Sequence, residues 1–587
     1  MSSETRVFNT TSRLAAVIAV QTAAIAALST TAPAIAITLG RPTSFTLQEA
    51  TIFDIQSAFG ANLLTSKELV QLYLNRIESY DVYDKSGPQT KINSVLTLNP
   101  NALAVAEALD LERQQVGPRS LLHGVPIFLK DNIDTFDLPT TAGSVALAGS
   151  IPPNDAFIAQ KLRDAGAVIL GKTNLTEFAN FLTTRMPAGY SSLGGYVFNP
   201  YNPIPLPNGD GRPILSPGGS SAGSAAAIAS NFAAVAIGTE TSGSILSPAN
   251  QNSLVGVKPT LGLASRDGII PIAASQDIAG PLARTVTDAA ILLGAITGVD
   301  PNDAATESSA GKTYTDYTPF LNTDALKGAR IGVPRQFFWT TGVSPEQAAI
   351  AENALSVIRS LGAEVVEADI TTVPLPGSSV LSYEFKRDLN LYLSSLGEDA
   401  PVKTLADVIA FNNANPEVAL KYGQVLALSS QARDLDPLSA DTRQYLADRA
   451  RDLLLAKDQG IDAYLDTYDL DAIFFPGTRG ANIAARAGYP SVIVPAGYQT
   501  DSAPFGITFS GNAYSEPTLL GLAYAFEQAT LYRRPPGSLP PLAGETIVAV
   551  PESTNVAGLL IGASGLFAAR RRQRNRRDAV GVKIQKS

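Results

Sequence analysis

Two clusters of glycines and hydroxyls bracket one apolar run between Gly218 and Ala249: Gly218-Gly219-Ser220-Ser221 at its start and Thr241-Ser242-Gly243-Ser244-Ile245 near its end. The first reads as a tight turn whose serines cap the next helix, because a hydroxyl oxygen accepts the free N–H groups of a first helical turn. Residues 222–236 then show almost no polar face, and a helix apolar all round is a buried one, so Ser220 and Ser221 are expected deep in the protein. The second cluster follows a short strand-like segment. Its small residues let the backbone N–H groups of Thr241, Ser242, Gly243 and Ser244 point into one cavity, as an oxyanion hole requires. Serines beside glycines are usually turns and caps, and the functional reading rests on the two clusters together.

The paired arrangement resembles the signature of the amidase signature family of serine hydrolases. Leu122-His123-Gly124-Val125-Pro126-Ile127-Phe128-Leu129-Lys130-Asp131-Asn132 is similar to that family's lysine segment, and Gly171-Lys172-Thr173-Asn174-Leu175-Thr176-Glu177-Phe178 to its next characteristic stretch. Val255-Gly256-Val257-Lys258-Pro259-Thr260 and Gly280-Pro281-Leu282-Ala283-Arg284 also fit, so the likeness runs roughly from Phe45 to Pro535. In that family a lysine, a serine held by a cis peptide and a nucleophilic serine form the catalytic set, and the matching positions are Lys130, Ser220 and Ser244. The resemblance implies that Ser244 attacks a carbonyl while neutral Lys130 accepts a proton through Ser220. The tetrahedral oxygen is then held by N–H groups of Thr241, Ser242, Gly243 and Ser244, and no metal or cofactor is called for. It also implies an α/β/α sandwich with a large mixed central sheet, and a small-molecule or peptide amide as substrate.

The chemistry also stands on its own terms. Serine is a poor nucleophile until a base removes its proton, and the 587 residues include no cysteine and a single histidine, His123. Gly219-Ser220-Ser221-Ala222-Gly223 matches the G-x-S-x-G nucleophile elbow, but that arrangement needs its histidine after the serine, and His123 precedes it. A histidine-first triad of His123, Asp131 and Ser244 is formally open, although the H-G-V-P context reads as a turn entering a strand and favours a structural histidine. A free lysine, with a pKa of about 10.4, is neutral in only about one molecule in a thousand near pH 7.4. The apolar segment 125–129 delivers Lys130 to the interior, where desolvation disfavours the ammonium. Lowering the pKa by about 3 units costs about 4 kcal/mol, so the fold around it must be rigid.

Three departures from the family pattern lie beside this chemistry: Ala222 for a usual glycine or serine, Ser242 for a usual glycine, and Leu246 for the usual arginine. Ser242 is expected either to contact substrate or to strain a position that suits glycine. The form E-T-x-G-S-I, with Glu240 in place of aspartate, looks closest to the branch of bacterial peptide amidases, which remove C-terminal amides from peptides. An esterase or aryl-acylamidase would use the same residues. Ser242 and Leu246 keep open a second class, an inactive amidase-fold surface protein that binds matrix components. The cytosolic subunit of the glutamine-dependent amidotransferase resembles this core too, but export would remove its tRNA partner. Gly166–Thr173 satisfies the phosphate-loop pattern G-x-x-x-x-G-K-T, yet its inner positions Ala-Val-Ile-Leu read as a buried strand rather than a flexible turn.

The elements that must carry these residues alternate. Helical patterns over 66–79, 101–115, 155–165 and 345–361 and short apolar strands over 168–170, 329–333, 365–367, 472–475 and 491–494 indicate an α/β protein with a sheet covered on both faces. The predicted amidase domain spans 45–535. A Pro-rich loop over 199–217 is expected to form a lip over the site, and the helical region 381–457 to form substrate-specific walls.

At the N-terminus, Arg6 and Arg13 precede an apolar segment over 14–27 and the small-x-small pattern Ala34-Ile35-Ala36, which predicts a signal peptide over 1–36. At the other end a linker over 536–549 leads to residues 550–577: Val550-Pro551-Glu552-Ser553, an apolar stretch over 556–569 and six arginines. This order resembles the PEP-CTERM sorting tail, with Ser553 where a second proline is usual. The arginine block would stay cytoplasmic, and the apolar stretch, about 14 residues, is short for a full span. The expected partners are therefore the export and C-terminal sorting machinery, with transient membrane association. The expected location is the cell surface, periplasm or extracellular matrix of a Gram-negative-type bacterium. The formal net charge of −9 comprises +1 before residue 37, +6 from Pro551 onward and −16 between them. An acidic body of this kind argues against nucleic-acid partners.

Overall fold

The computed structural model describes residues 42–81 and 91–549; the expected signal peptide and the sorting segment from residue 550 lie outside them. The described residues from Thr43 onward form one compact unit. Among the described residues no helix is long and apolar enough to cross a membrane.

Eleven strands form one mixed sheet, the class expected above. In chain order they are β1 (Val95–Leu98), β2 (Pro126–Lys130), β3 (Val168–Thr173), β4 (Val235–Glu240), β5 (Val255–Lys258), β6 (Ile278–Ala283), β7 (Arg330–Gly332), β8 (Glu364–Val366), β9 (Ala472–Pro476), β10 (Ser491–Tyr498) and β11 (Pro504–Ser510). Their spatial order is β8-β7-β9-β11-β10-β5-β6-β4-β2-β3-β1. β2 runs parallel to both neighbours, β3 and β4, and every residue of these three strands is buried. A strand buried on both faces needs a continuous apolar run, so a lysine ending β2 is conspicuous.

Capping chemistry sets several of the covering helices. In Ser66–Tyr80, Thr65 accepts the Glu68 N–H while the Glu68 carboxylate accepts the Thr65 N–H, and Ser344 with Gln347 does the same for Pro345–Ser360. Both start where the sequence predicts.

Residues 222–236 depart from expectation. The helix covers only Ala222–Ala229; Asn231 then adopts φ 59°, the chain turns back, and Val235 begins β4. Apolar residues on every side fit a buried helix and a buried strand equally well; the break comes from an asparagine that tolerates the left-handed conformation. Its turn is held from elsewhere, since Asn231 Oδ1 accepts the Glu49 N–H at 2.7 Å and Arg533 donates to the Glu49 carboxylate at 2.7 and 2.9 Å.

The stretch 536–549, expected as a linker, is tied to the body. Thr546–Val548 pairs antiparallel with Ser44–Thr46, and Arg76 Nη1 donates to both oxygens of the Glu545 carboxylate at 2.9 and 3.1 Å with both side chains buried. Removing one partner of a buried pair strands a charge at a cost of about 3–5 kcal/mol. Glu545→Ala is therefore expected to lower the thermal unfolding midpoint clearly, whereas alanine at the exposed ion-pair partner Glu107 should leave it within a degree or so.

Candidate active site

Lys130 reaches the site as the last residue of β2 and is fully buried. Its Nζ lies 2.8 Å from Ser220 Oγ and 2.8 Å from Thr239 Oγ1, with the Thr239 carbonyl at 3.3 Å. No carboxylate touches it among the described residues. Burial pushes the Lys130 ammonium down to about 7, opposed by the charges of Asp277 and Glu240.

Ser220 follows a cis Gly219–Ser220 peptide, and its carbonyl accepts the Thr176 N–H at 3.0 Å. The expected capping role of the neighbouring serine is not found. Ser221 stands at the helix start without a side-chain cap; instead its Oγ donates to the Thr239 carbonyl at 3.1 Å and accepts the Thr239 N–H at 3.2 Å. The edge of β4 competes for this hydroxyl and wins. The Ser221 N–H also donates to the Ser244 carbonyl at 3.2 Å, which joins the two hydroxyl clusters.

Ser244 lies between β4 and the short helix Leu246–Gln251. Glu240 shapes this loop: its Oε2 accepts the N–H groups of Ile245 at 2.8 Å and Leu246 at 3.0 Å. Gly243 takes φ +86°, a conformation side chains rarely adopt. Ser242 has no positive φ, so the strain expected of it is absent; it sits exposed at the rim. Leu246 is fully buried. Among the described residues, no acceptor meets the backbone N–H groups of Thr241, Ser242, Gly243 and Ser244. The Thr241 side chain is fixed, donating from Oγ1 to Asp277 Oδ1 at 2.5 Å, and Asp277 Oδ2 accepts the Ile272 and Ala273 N–H groups at 2.8 Å each. Burial pushes the Asp277 carboxyl up to about 6.

A cavity of about 470 Å³ opens beside this loop. Gly219, Ser242 and Gly243 form one wall; Phe338, Leu375 and Arg479 stand in the others. Residues 199–217 and 381–457 are absent from its lining, and so are Lys130, Ser220 and Ser244 themselves. The helical region instead packs its apolar faces on Phe178, Leu182, Ile270 and Ile272. It also lines a second cavity of about 490 Å³ with Asp134, Arg266, Asp277, Asp388 and Tyr392.

His123 is structural. Its Nε2 donates to the Leu109 carbonyl at 2.9 Å, Nδ1 accepts the Arg119 N–H at 3.3 Å, and burial lowers its pKa, which fits the neutral ring. Asp131 is occupied by Thr141 and Gly143, so the histidine-first triad does not form. The phosphate-loop lookalike is β3, with Lys172 buried against the Ile133 carbonyl at 2.5 Å and Thr140 Oγ1 at 2.7 Å.

Thr239 and Asp277 join the site without any motif that assigns them to it, and Asn132, which closes the lysine segment, joins it without a role read from the sequence. Asn132 Nδ2 donates to Thr239 Oγ1 at 3.1 Å, so one hydroxyl receives both the amide and the lysine. A threonine following the apolar residues V-A-I-G and preceding the closing glutamate of this strand is the signal the sequence offers for it.

The mixed sheet, the lysine buried against a serine hydroxyl and the loop of uncommitted N–H groups agree with the amide hydrolases of the amidase family. The chain belongs to that family: the Amidase family pattern matches residues 68–520. Among solved structures it is similar to the native peptide amidase from Stenotrophomonas maltophilia, with 42% identity and a TM-score of 0.74 over 83% of this chain and 98% of that one. An amidase family protein from Bacillus anthracis shows 37% identity and a TM-score of 0.76 over 84% of this chain and 92% of that one. An Arabidopsis thaliana protein described as a probable amidase is 40% identical over 82% of this chain and 90% of its own length.

Proposed function

We propose that this protein is an exported serine amidohydrolase that cleaves carboxamide C–N bonds, with peptide C-terminal amides as its substrate class. One observation carries the mechanism: Lys130 Nζ lies 2.8 Å from Ser220 Oγ in a site where burial holds the amine near neutrality. A neutral amine uses two N–H groups, which Thr239 accepts, and turns its lone pair to the Ser220 hydroxyl. Ser220 passes its proton to Lys130 and takes one from Ser244 as the Ser244 oxygen bonds to the substrate carbonyl carbon. The oxygen that becomes negative is met by the free N–H groups of residues 241–244. The proton returns through Ser220 to the departing nitrogen, the C–N bond breaks, and ammonia leaves an ester on Ser244. Water then releases the acid by the same relay.

The substrate class is supported by the 42% identity to a peptide amidase and by the E-T-x-G-S-I form of the loop. Export and C-terminal sorting are supported by the arrangement of residues 1–36 and 550–577; recovery of the protein outside the cytoplasm, with its chain starting at Ile37, is the expected outcome. Ammonia release from a panel of peptide amides, simple carboxamides and matched esters tests the activity. Peptide amides should lead the panel, whereas hydrolysis of esters alone would overturn the reading.

The charge of Asp277 favours the ammonium form of Lys130. Asp277→Asn keeps an acceptor for Thr241 but loses that charge, so the acid limb of kcat/KM should move to lower pH. An unmoved or raised limb would show that Asp277 does not act on the lysine.

A further inference from the structure

Arg479 is a charged group in the cavity beside the Ser244 loop, and no Asp or Glu lines that cavity. Its neighbours there are largely apolar, among them Phe337, Phe338, Val373 and Leu375. Its guanidinium makes no hydrogen bond or ion pair with any described residue, and its Nε is buried without a partner. Arg335 and Arg486, by contrast, are ion-paired, the first with Glu352 and Glu367 and the second with Asp452. The guanidinium also has a fitted place: a Cβ at Gly342, which has φ +68°, would lie 2.8 Å from Nη1. Leaving such a donor buried and unpaired is unfavourable, and the net acidity of the body supplies many carboxylates that do not reach it.

We propose that Arg479 is the anion-recognition point of the substrate cavity, and that the preferred substrates are amides carrying a carboxylate next to an apolar group. The guanidinium is a rigid fork that matches a carboxylate with two parallel bonds, while the phenylalanine and leucine walls take the apolar part. This deepens the amidase reading and rests on it for the location of the reacting bond.

Three matched amides test it on the full chain: N-succinyl-phenylalaninamide, its neutral analogue N-butyryl-phenylalaninamide, and the cationic analogue N-(4-aminobutyryl)-phenylalaninamide. The expected kcat/KM ratio of succinyl to butyryl substrate is about 10- to 100-fold in the wild type, the range of one charge-assisted contact. Arg479→Gln should bring that ratio close to one, and Arg479→Glu should turn preference to the cationic substrate, which a merely structural arginine would not do. Calorimetric binding of the same three compounds to Ser244→Ala separates the two claims. Absence of hydrolysis together with tighter succinyl binding that Arg479→Gln removes would sink the amidase reading and uphold the anion site. Equal treatment of succinyl and butyryl compounds by the wild type, or a ratio untouched by Arg479→Gln, overturns the proposal.

Discussion

Ser244→Ala is expected to reduce amide hydrolysis by about four orders of magnitude or more, the scale seen when a nucleophile that acts as part of a unit is removed. Ser244 is 8% exposed and its side chain holds no structural bond among the described residues, so the variant should fold normally and keep the wild-type thermal midpoint. Ser221→Ala is the instructive contrast. Its hydroxyl bridges the Thr239 N–H and carbonyl, so its loss should lower the midpoint while leaving measurable turnover. Equal activity losses in the two variants, with equal destabilisation, would mean that the region is needed only for folding.

Lys130 carries the second large effect. Lys130→Met removes the base while filling the buried space, and activity should fall by about two to four orders of magnitude, the usual contribution of a general base. In the wild type, kcat/KM should rise with pH through about 7 and level off above, because only the neutral amine accepts the Ser220 proton. The sign for stability follows from the same shift. Between about 7 and the unfolded lysine value of about 10.4, the unfolded chain holds the extra proton, so the Lys130 contribution rises with pH; below about 7 both states are protonated and the full penalty, about 5 kcal/mol, is felt. Denaturation of wild type and Lys130→Met across pH 6 to 10 should therefore show the wild type losing ground to the variant as pH falls towards 7, with no further change below it. A pH-independent difference would place the lysine in a solvated setting.

The parts of the site that depend on residue type are legible in the sequence. An apolar run ending in Lys130, a chain with one histidine and no cysteine, and two glycine-serine clusters restrict the chemistry closely, and the structure brings Lys130 to Ser220 and Ser221 to Ser244. What depends on distant partners is not legible. The end of the helix at Ala229 and the start of β4 at Val235 are held by Glu49 and, through it, by Arg533. The same reason hides Thr239, which β4 carries to the lysine on β2, and Asp277, which reaches the loop from the residue just before β6. The cavity walls come from residues 337–338, 373–375 and 478–483 rather than from the two segments whose composition stands out. Proline content and helical pattern report local conformation, and neither says which loop folds over which strand end.

The central claim is that Ser244 is the nucleophile and Lys130 its base, and a fluorophosphonate probe tests both at once. Labelling followed by peptide mapping should place the adduct on Ser244, at a rate that climbs as pH passes about 7 and is lost in Lys130→Met. An adduct on Ser220 or Ser221, or a rate on Ser244 indifferent to Lys130, would contradict the account.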